Sequence, residues 1–206
     1  MSFIVIEGLD GSGKSTASKL LASRFAEAHL PCIHTYEPTK RQIGQLIRSM
    51  LAGDTEPAYI ESMAQLFAAD RYEHIWKDIQ PYIADNNIVC DRYYLSNMAY
   101  QSFDTQSLEN VIYYNRSAIE NTKPDITFFL NISPEECVKR INSRGQDKSI
   151  YETLEGLKQI YERYLIAIDR MKETDNIVFV GCDTATPQEI VDEMWVHILP
   201  MHTTVY

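Results

Sequence analysis

Nine consecutive residues near the start of the chain carry chemistry in their spacing: Gly8-Leu9-Asp10-Gly11-Ser12-Gly13-Lys14-Ser15-Thr16. The pattern is a glycine, four residues, then Gly-Lys-Ser, the P-loop pattern that cradles phosphates. Glycines let the backbone curl so that successive N–H groups point at one anion. A helix starting at Lys14 would offer its N-terminus to the same anion. Lys14 would reach the outer phosphates of a nucleoside triphosphate, and the Ser15 hydroxyl would bind Mg²⁺. Gly8, Asp10, Gly11, Ser12, Gly13 and Thr16 complete the expected cradle. The pattern specifies a triphosphate, not a reaction.

A second group, Asp91-Arg92-Tyr93, closes an apolar run. Asp91 could hold Mg²⁺ directly or through water, and Arg92 could clamp a second phosphate bidentately. A plain Asp–Arg surface pair fits the same residues. Phe67 and Arg71 are one helical turn apart and face the same way. A ring beside a guanidinium suits a nucleobase, although a core Phe with a snorkelling Arg also fits. Asn97 and Tyr100 follow, one turn apart if helical, and offer an amide and a phenol to the same space.

Short apolar runs and longer amphipathic stretches must position these groups. Strands are expected at Phe3–Ile6, Cys32–Thr35, Ile88–Cys90, Ile126–Leu130 and Ile177–Val180. Helices are expected at Lys14–His29, Ile43–Leu51, Pro57–Ile83 and Ile150–Met171. Ser133-Pro134-Glu135-Glu136 starts another, with a serine cap, proline at the first position and acids in the first turn. Thr186-Pro187-Gln188-Glu189 starts the last. Apolar strands separated by helices imply a parallel sheet covered on both faces. In such sheets ligands bind beyond the carboxyl ends of the strands, where the P-loop and Asp91-Arg92 both fall.

Composition sets outer bounds. The 206 residues carry 19 Lys+Arg against 29 Asp+Glu, a formal charge of −10. That balance opposes a general nucleic-acid binder or a polybasic membrane-surface protein. No segment approaches the roughly 20 apolar residues of a membrane span, and the N-terminus does not read as a signal peptide. Cys32, Cys90, Cys137 and Cys182 form no CxxC pair, which suits a reduced cytoplasmic protein. The five histidines show no metal-ligand spacing.

The order of the motifs resembles the thymidylate kinase family through most of the chain. The resemblance covers Glu7–Thr16, Tyr36-Glu37-Pro38-Thr39, Leu66-Phe67-Ala68-Ala69-Asp70-Arg71, Asp91–Gln101 and Pro124–Leu130. The Phe-Ala-Ala-Asp-Arg and Asp-Arg-Tyr…Ala-Tyr-Gln blocks are the specific ones. The resemblance implies a single P-loop NTPase domain, three-layer α/β/α with a central five-stranded parallel sheet. It implies transfer of the ATP γ-phosphate to dTMP, with Mg²⁺, by a cytosolic homodimer. It implies that Phe67 stacks on thymine, Arg71 contacts a base carbonyl, and Asn97 contacts the base edge. By the same resemblance Glu37 and Gln101 would join that acceptor site, Arg92 would hold the dTMP phosphate, Tyr100 would block a 2′-hydroxyl, and Asp10 would sit near the sugar 3′-hydroxyl and the metal.

Phosphoryl transfer needs a closing cover, and the polar segment at about 142–152 is the expected lid. In this family a catalytic arginine comes from the P-loop or from the lid. Gly11-Ser12 leaves the role to the lid, with Arg144 the candidate and Arg140 or Lys148 assisting. The segment also fits a solvated basic loop. Two positions depart from the family pattern: Tyr36 stands where Arg is frequent, and Ser149-Ile150 precede Tyr151-Glu152 without an Arg. A dTMP-phosphate contact is then either absent or supplied by Lys40 or Arg41. Competing readings are a broader deoxynucleoside-monophosphate kinase, accepting dUMP or others, and a non-catalytic nucleotide-binding module. A GTP switch is disfavoured, because Asn121-Thr122-Lys123-Pro124-Asp125 has the wrong spacing for a guanine motif.

Overall fold

The five apolar runs pair into one all-parallel sheet in the computed structural model, which describes residues 1–56, 58–143 and 153–202. The strands are β1 (Phe3–Gly8), β2 (Cys32–Tyr36), β3 (Asn87–Asp91), β4 (Ile126–Asn131) and β5 (Ile177–Gly181), in the order β2-β3-β1-β4-β5. Every residue of β1 and β3 is buried, so Phe3–Ile6 and Ile88–Cys90 read as continuous apolar stretches rather than alternating ones. Ile6 sits opposite Asp91 on one side and Phe128 on the other. The chain leaves β1 toward β2 and leaves β3 toward β4, in opposite directions along the sheet. The crevice at that switch point lies beyond the carboxyl ends of β1 and β3.

Among the described residues the helices are α1 (Lys14–Glu27), α2 (Gln42–Ala52), α3 (Ile60–His74), α4 (Tyr94–Gln101), α5 (Thr105–Tyr114), α6 (Arg116–Asn121), α7 (Pro134–Ser143), α8 (Leu154–Met171) and α9 (Pro187–His202). α1 packs on α9, while α3, α4, α5 and α8 form a separate packed group. This is the three-layer α/β/α arrangement expected of the apolar pattern.

Several boundaries differ from the sequence expectation, each for a local reason. The expected helix over 57–83 is α3 followed by a π-helical segment, Ile75–Ile79, and turns. Within this segment Met63, Ile75 and Ile79 are buried, and Trp76 is half exposed. α8 starts at Leu154, where the Thr153 hydroxyl accepts from Gly156 N at 3.1 Å. α5 and α6 have no counterpart in the sequence reading: at 10 and 6 residues both fall short of the window of roughly 11–18 residues over which helical periodicity is read. Asp104 caps α5, accepting from Ser107 N at 2.7 Å in a reciprocal capping box. Ser133 caps α7 as expected, accepting from Glu136 N at 3.4 Å while donating to Asp183 at 2.6 Å.

Candidate active site

β1 ends in the glycine turn, and the turn runs directly into α1. Gly11 has φ +85°, and a Cβ there would lie 2.7 Å from the Cys137 carbonyl of α7. Gly13 has φ +97° and occupies the N-cap of α1. Both positions therefore require glycine. Lys14 is 5% exposed, and its Nζ donates to Leu9 O at 2.6 Å, with Asp10 4.0 Å away. Burial and then the Arg92 charge push the Lys14 ammonium down to about 8, against the pull of Asp10, Asp91 and Glu7.

β1 and β3 are neighbours, which brings Asp91 to the P-loop. The Ser15 hydroxyl donates to Asp91 Oδ2. Asp91 Oδ1 is buried with no hydrogen-bond partner among the described residues. A hydroxyl oxygen beside a free carboxylate oxygen is a hard-oxygen donor set, the type that suits Mg²⁺ with the remaining positions left to water and phosphate. Ser15 and Asp91 thus fit the Mg²⁺ that the sequence resemblance implies.

Arg92 follows β3 in a left-handed turn, φ +72°, a conformation uncommon for a side chain without glycine's freedom. The strand's neighbours hold it there. Glu7, fully buried in β1, accepts from Tyr93 N at 2.8 Å and Ser96 N at 3.1 Å. It also accepts from the Ser96 hydroxyl and, at 3.0 Å, from Tyr164 of α8. Burial pushes the Glu7 carboxyl above the ordinary range, opposed by the Ser96 hydrogen bond, the Arg92 charge and the backbone donors. The turn so fixed directs the Arg92 guanidinium to Asp10, to Ser96 Oγ at 3.1 Å, and over the Tyr100 ring at 5.2 Å. Tyr100 Oη donates to Asp10 Oδ2 at 2.9 Å and accepts from Asp10 N at 3.2 Å. Asp10, Arg92 and Tyr100 form one closed unit at the edge of the P-loop.

Beside that unit opens a cavity of about 510 Å³ whose walls include Phe67, Asn97, Tyr100, Gln101, Glu37 and Tyr36. Phe67 supplies a half-buried ring, as its spacing suggests. Arg71 lies beneath, 1% exposed, and its guanidinium meets Glu37 Oε2 at 2.5 Å, Tyr93 O at 3.0 Å, Asn97 Oδ1 at 3.3 Å and Asn115 Oδ1. The other Glu37 oxygen meets His74 Nδ1 at 3.0 Å. Arg71 Nε and Gln101 Nε2 are buried donors with no partner among the described residues.

The sequence reading located the cradle, Asp91, Arg92, Phe67, Arg71, Asn97, Tyr100 and Gln101, and the fold assembles them around one crevice. It assigned no role to Glu7, Ser96, Tyr164, His74 or Asn115, because each acts through partners far away in the chain. Arg48, which no local motif marks, also lies on the cavity wall with its guanidinium 5.3 Å from the Tyr36 ring. Of the cations expected to compensate for Tyr36, Arg41 is engaged by Asp78 through bonds of 2.9 and 2.7 Å. Lys40 lies 5.8 Å from the Tyr36 ring. Arg140 is drawn to Glu136 and to the Cys182 carbonyl at 2.8 Å. The lid segment begins with Asn142 and Ser143 at the end of α7. Arg144, Lys148, Ser149, Ile150, Tyr151 and Glu152 lie outside the described residues.

An all-parallel α/β sheet with a glycine turn, Lys14 and Asp91 at the carboxyl ends of adjacent strands defines a P-loop NTPase fold. The thymidylate kinase family model matches residues 6–193, and the chain belongs to that family. A probable thymidylate kinase of Methanococcus aeolicus is 40% identical over 194 residues, covering 93% of each chain. A thymidylate kinase of Leptospira interrogans is 38% identical, covering 85% of this chain and 89% of that one. The solved thymidylate kinase structure from Candida albicans superposes with a TM-score of 0.82 at 25% identity, covering 98% of this chain and 92% of the other.

Proposed function

We propose that the protein transfers the γ-phosphoryl group of ATP to dTMP, giving dTDP and ADP. The observation that carries this reading is the placement of Arg92. Its guanidinium lies between the P-loop, through Asp10, and a cavity with an aromatic ring and amides on its walls. An acceptor monophosphate held there faces the triphosphate cradle, as in-line displacement requires.

The chemistry follows from the charges. An oxygen of the dTMP phosphate attacks the γ-phosphorus as the bond to the β-bridging oxygen breaks, and ADP departs. The attacking group is already an anion, so no general base is needed. The chain's contribution is positioning and charge neutralisation. Lys14 sits where it can follow the β- and γ-phosphates, and Arg92 with Arg48 offers cations to the acceptor. Ser15 and Asp91 would hold Mg²⁺, which would help neutralise the triphosphate charge. Arg144 of the lid is proposed as the further positive charge at the transferred group.

Selectivity is proposed to reside in the cavity wall. Phe67 offers a stacking face, and Asn97 and Gln101 bring amide groups to the base edge, with the Arg71 guanidinium buried behind them. Tyr100 is locked by two hydrogen bonds to Asp10, so its ring cannot yield to a 2′-hydroxyl. Tyr72 and Trp76 are each about half exposed with ring centroids 6.3 Å apart. They support a homodimer through the face where α3 meets the π-helical segment Ile75–Ile79, and light scattering tests dimerisation. All four cysteines are free, in keeping with a cytoplasmic setting. No helix of the described residues is long and apolar enough to cross a membrane.

A coupled ADP-release assay with ATP, Mg²⁺ and each nucleoside monophosphate in turn tests the reading. Preferential turnover of dTMP is expected. Equal turnover of several deoxynucleotides would widen the acceptor class, and ATP binding without any turnover would replace the kinase reading with a binding module.

A further inference from the structure

Asn115 joins α5 to α6 and is 2% exposed. It stands behind the acceptor cavity rather than on its wall. Its amide orientation is dictated by chemistry, since its neighbours on either side have only one role each. Oδ1 accepts from Arg71 Nη1, a group that can only donate. Nδ2 donates to the Val111 carbonyl at 2.8 Å, a group that can only accept. The same Nδ2 donates to Asn97 Oδ1 at 2.9 Å. Asn97 Oδ1 thus meets two donors, Asn115 and, at 3.3 Å, Arg71 Nη1. Asn97 must then turn its Nδ2 to Gln101 Oε1, at 3.1 Å. Gln101 is left with Nε2, which is buried and has no partner among the described residues, on a residue that lines the cavity.

We infer that Asn115 is a specificity-determining positioning residue: through Asn97 and Gln101 it makes the base end of the cavity a donor. The inference rests on the proposed acceptor site and adds the origin of its base choice. A donor suits a ring carbonyl, such as O4 of thymine, and opposes the exocyclic amino group that cytosine carries at the same place. Each amide in the chain could turn over if isolated. The sequence of single-role partners starting at Arg71 and Val111 removes that freedom.

The Asn115→Asp variant tests this. A carboxylate keeps the Arg71 contact but cannot donate to Asn97. A carboxylate facing Asn97 Oδ1 is repulsive, and this outweighs the one remaining, longer contact of that oxygen with Arg71 Nη1 at 3.3 Å, so Asn97 turns Nδ2 to the new carboxylate, which reverses Gln101 and turns an acceptor toward the base. Asn115→Ala removes both roles and admits water, which donates or accepts freely. Calorimetric titration of wild type and both variants with dTMP and dCMP measures the affinity ratio, with thermal unfolding as the control for folding. The dTMP:dCMP ratio is expected to fall by about tenfold or more in Asn115→Asp, the scale of a mispaired buried polar group, and by less in Asn115→Ala. A general loss of packing would weaken both ligands together and leave the ratio unchanged. An unchanged ratio in both folded variants overturns the inference while leaving dTMP turnover by the wild type intact. A wild-type chain that binds neither nucleotide overturns the inference together with the reading beneath it.

Discussion

Glu7 and Ser96 lie 89 residues apart in the chain, yet one carboxylate oxygen of Glu7 accepts Ser96 N at 3.1 Å and the other accepts the Ser96 hydroxyl. With Tyr93 N at 2.8 Å on the first oxygen, β1 anchors the start of α4. The anchor supports a left-handed Arg92 that nothing local would favour.

Replacing Glu7 by alanine should therefore both destabilise the fold and misplace Arg92. Two buried N–H groups would lose their acceptor, at about 1–3 kcal/mol each. Thermal unfolding should fall by about 4–24 °C, at roughly 2–4 °C per kcal/mol for a chain of this size. In the part of the sample that folds, KM for dTMP should rise more than KM for ATP. Equal effects on both substrates would refute the anchoring role.

Arg92→Ala should leave the P-loop formed and remove the acceptor cation. A charge-assisted bond is worth about 1.5–3 kcal/mol, so kcat/KM for dTMP should drop by at least about tenfold and more if Arg92 also meets the transition state. ATP affinity should change little. The ADP-release assay reads the first effect and nucleotide titration the second.

Lys14 offers a pH signature. With its ammonium held near 8 in the free protein, about half of the molecules lack that proton at pH 8, and about a tenth at pH 7. A triphosphate raises the group again, so ATP binding should take up a proton, more at pH 8 than at pH 7. Calorimetry in buffers of different ionisation enthalpy measures this. Proton release, or uptake that persists in Lys14→Met, would contradict it.

Asp91→Asn should spare ATP binding and raise the Mg²⁺ concentration needed for half-maximal activity, by roughly tenfold or more for the loss of a charged oxygen ligand. A chelator should abolish turnover in the wild type. A Mg²⁺ dependence unaltered by Asp91→Asn would remove Asp91 from the metal site.

The sequence alone determined the elements whose signals are local. Apolar runs marked the five strands, glycine spacing marked the cradle, and motif order indicated the family. Phe67, Asn97, Tyr100 and Arg92 could be named because each lies in a short block with its own pattern. Tertiary structure decided how those groups are held. Glu7 finds Tyr93, Ser96 and Tyr164, and Arg71 finds Glu37, Asn97 and Asn115, only once β1, β3, α3, α4 and α8 have packed. It also decided between the cations near Tyr36, sending Arg41 to Asp78 and Arg48 to the cavity. Hydrophobic periodicity reports which face of an element is buried, because burial of apolar surface is non-directional. A buried hydrogen bond depends on direction and on a partner that folding brings from far along the chain, and no local spacing encodes that.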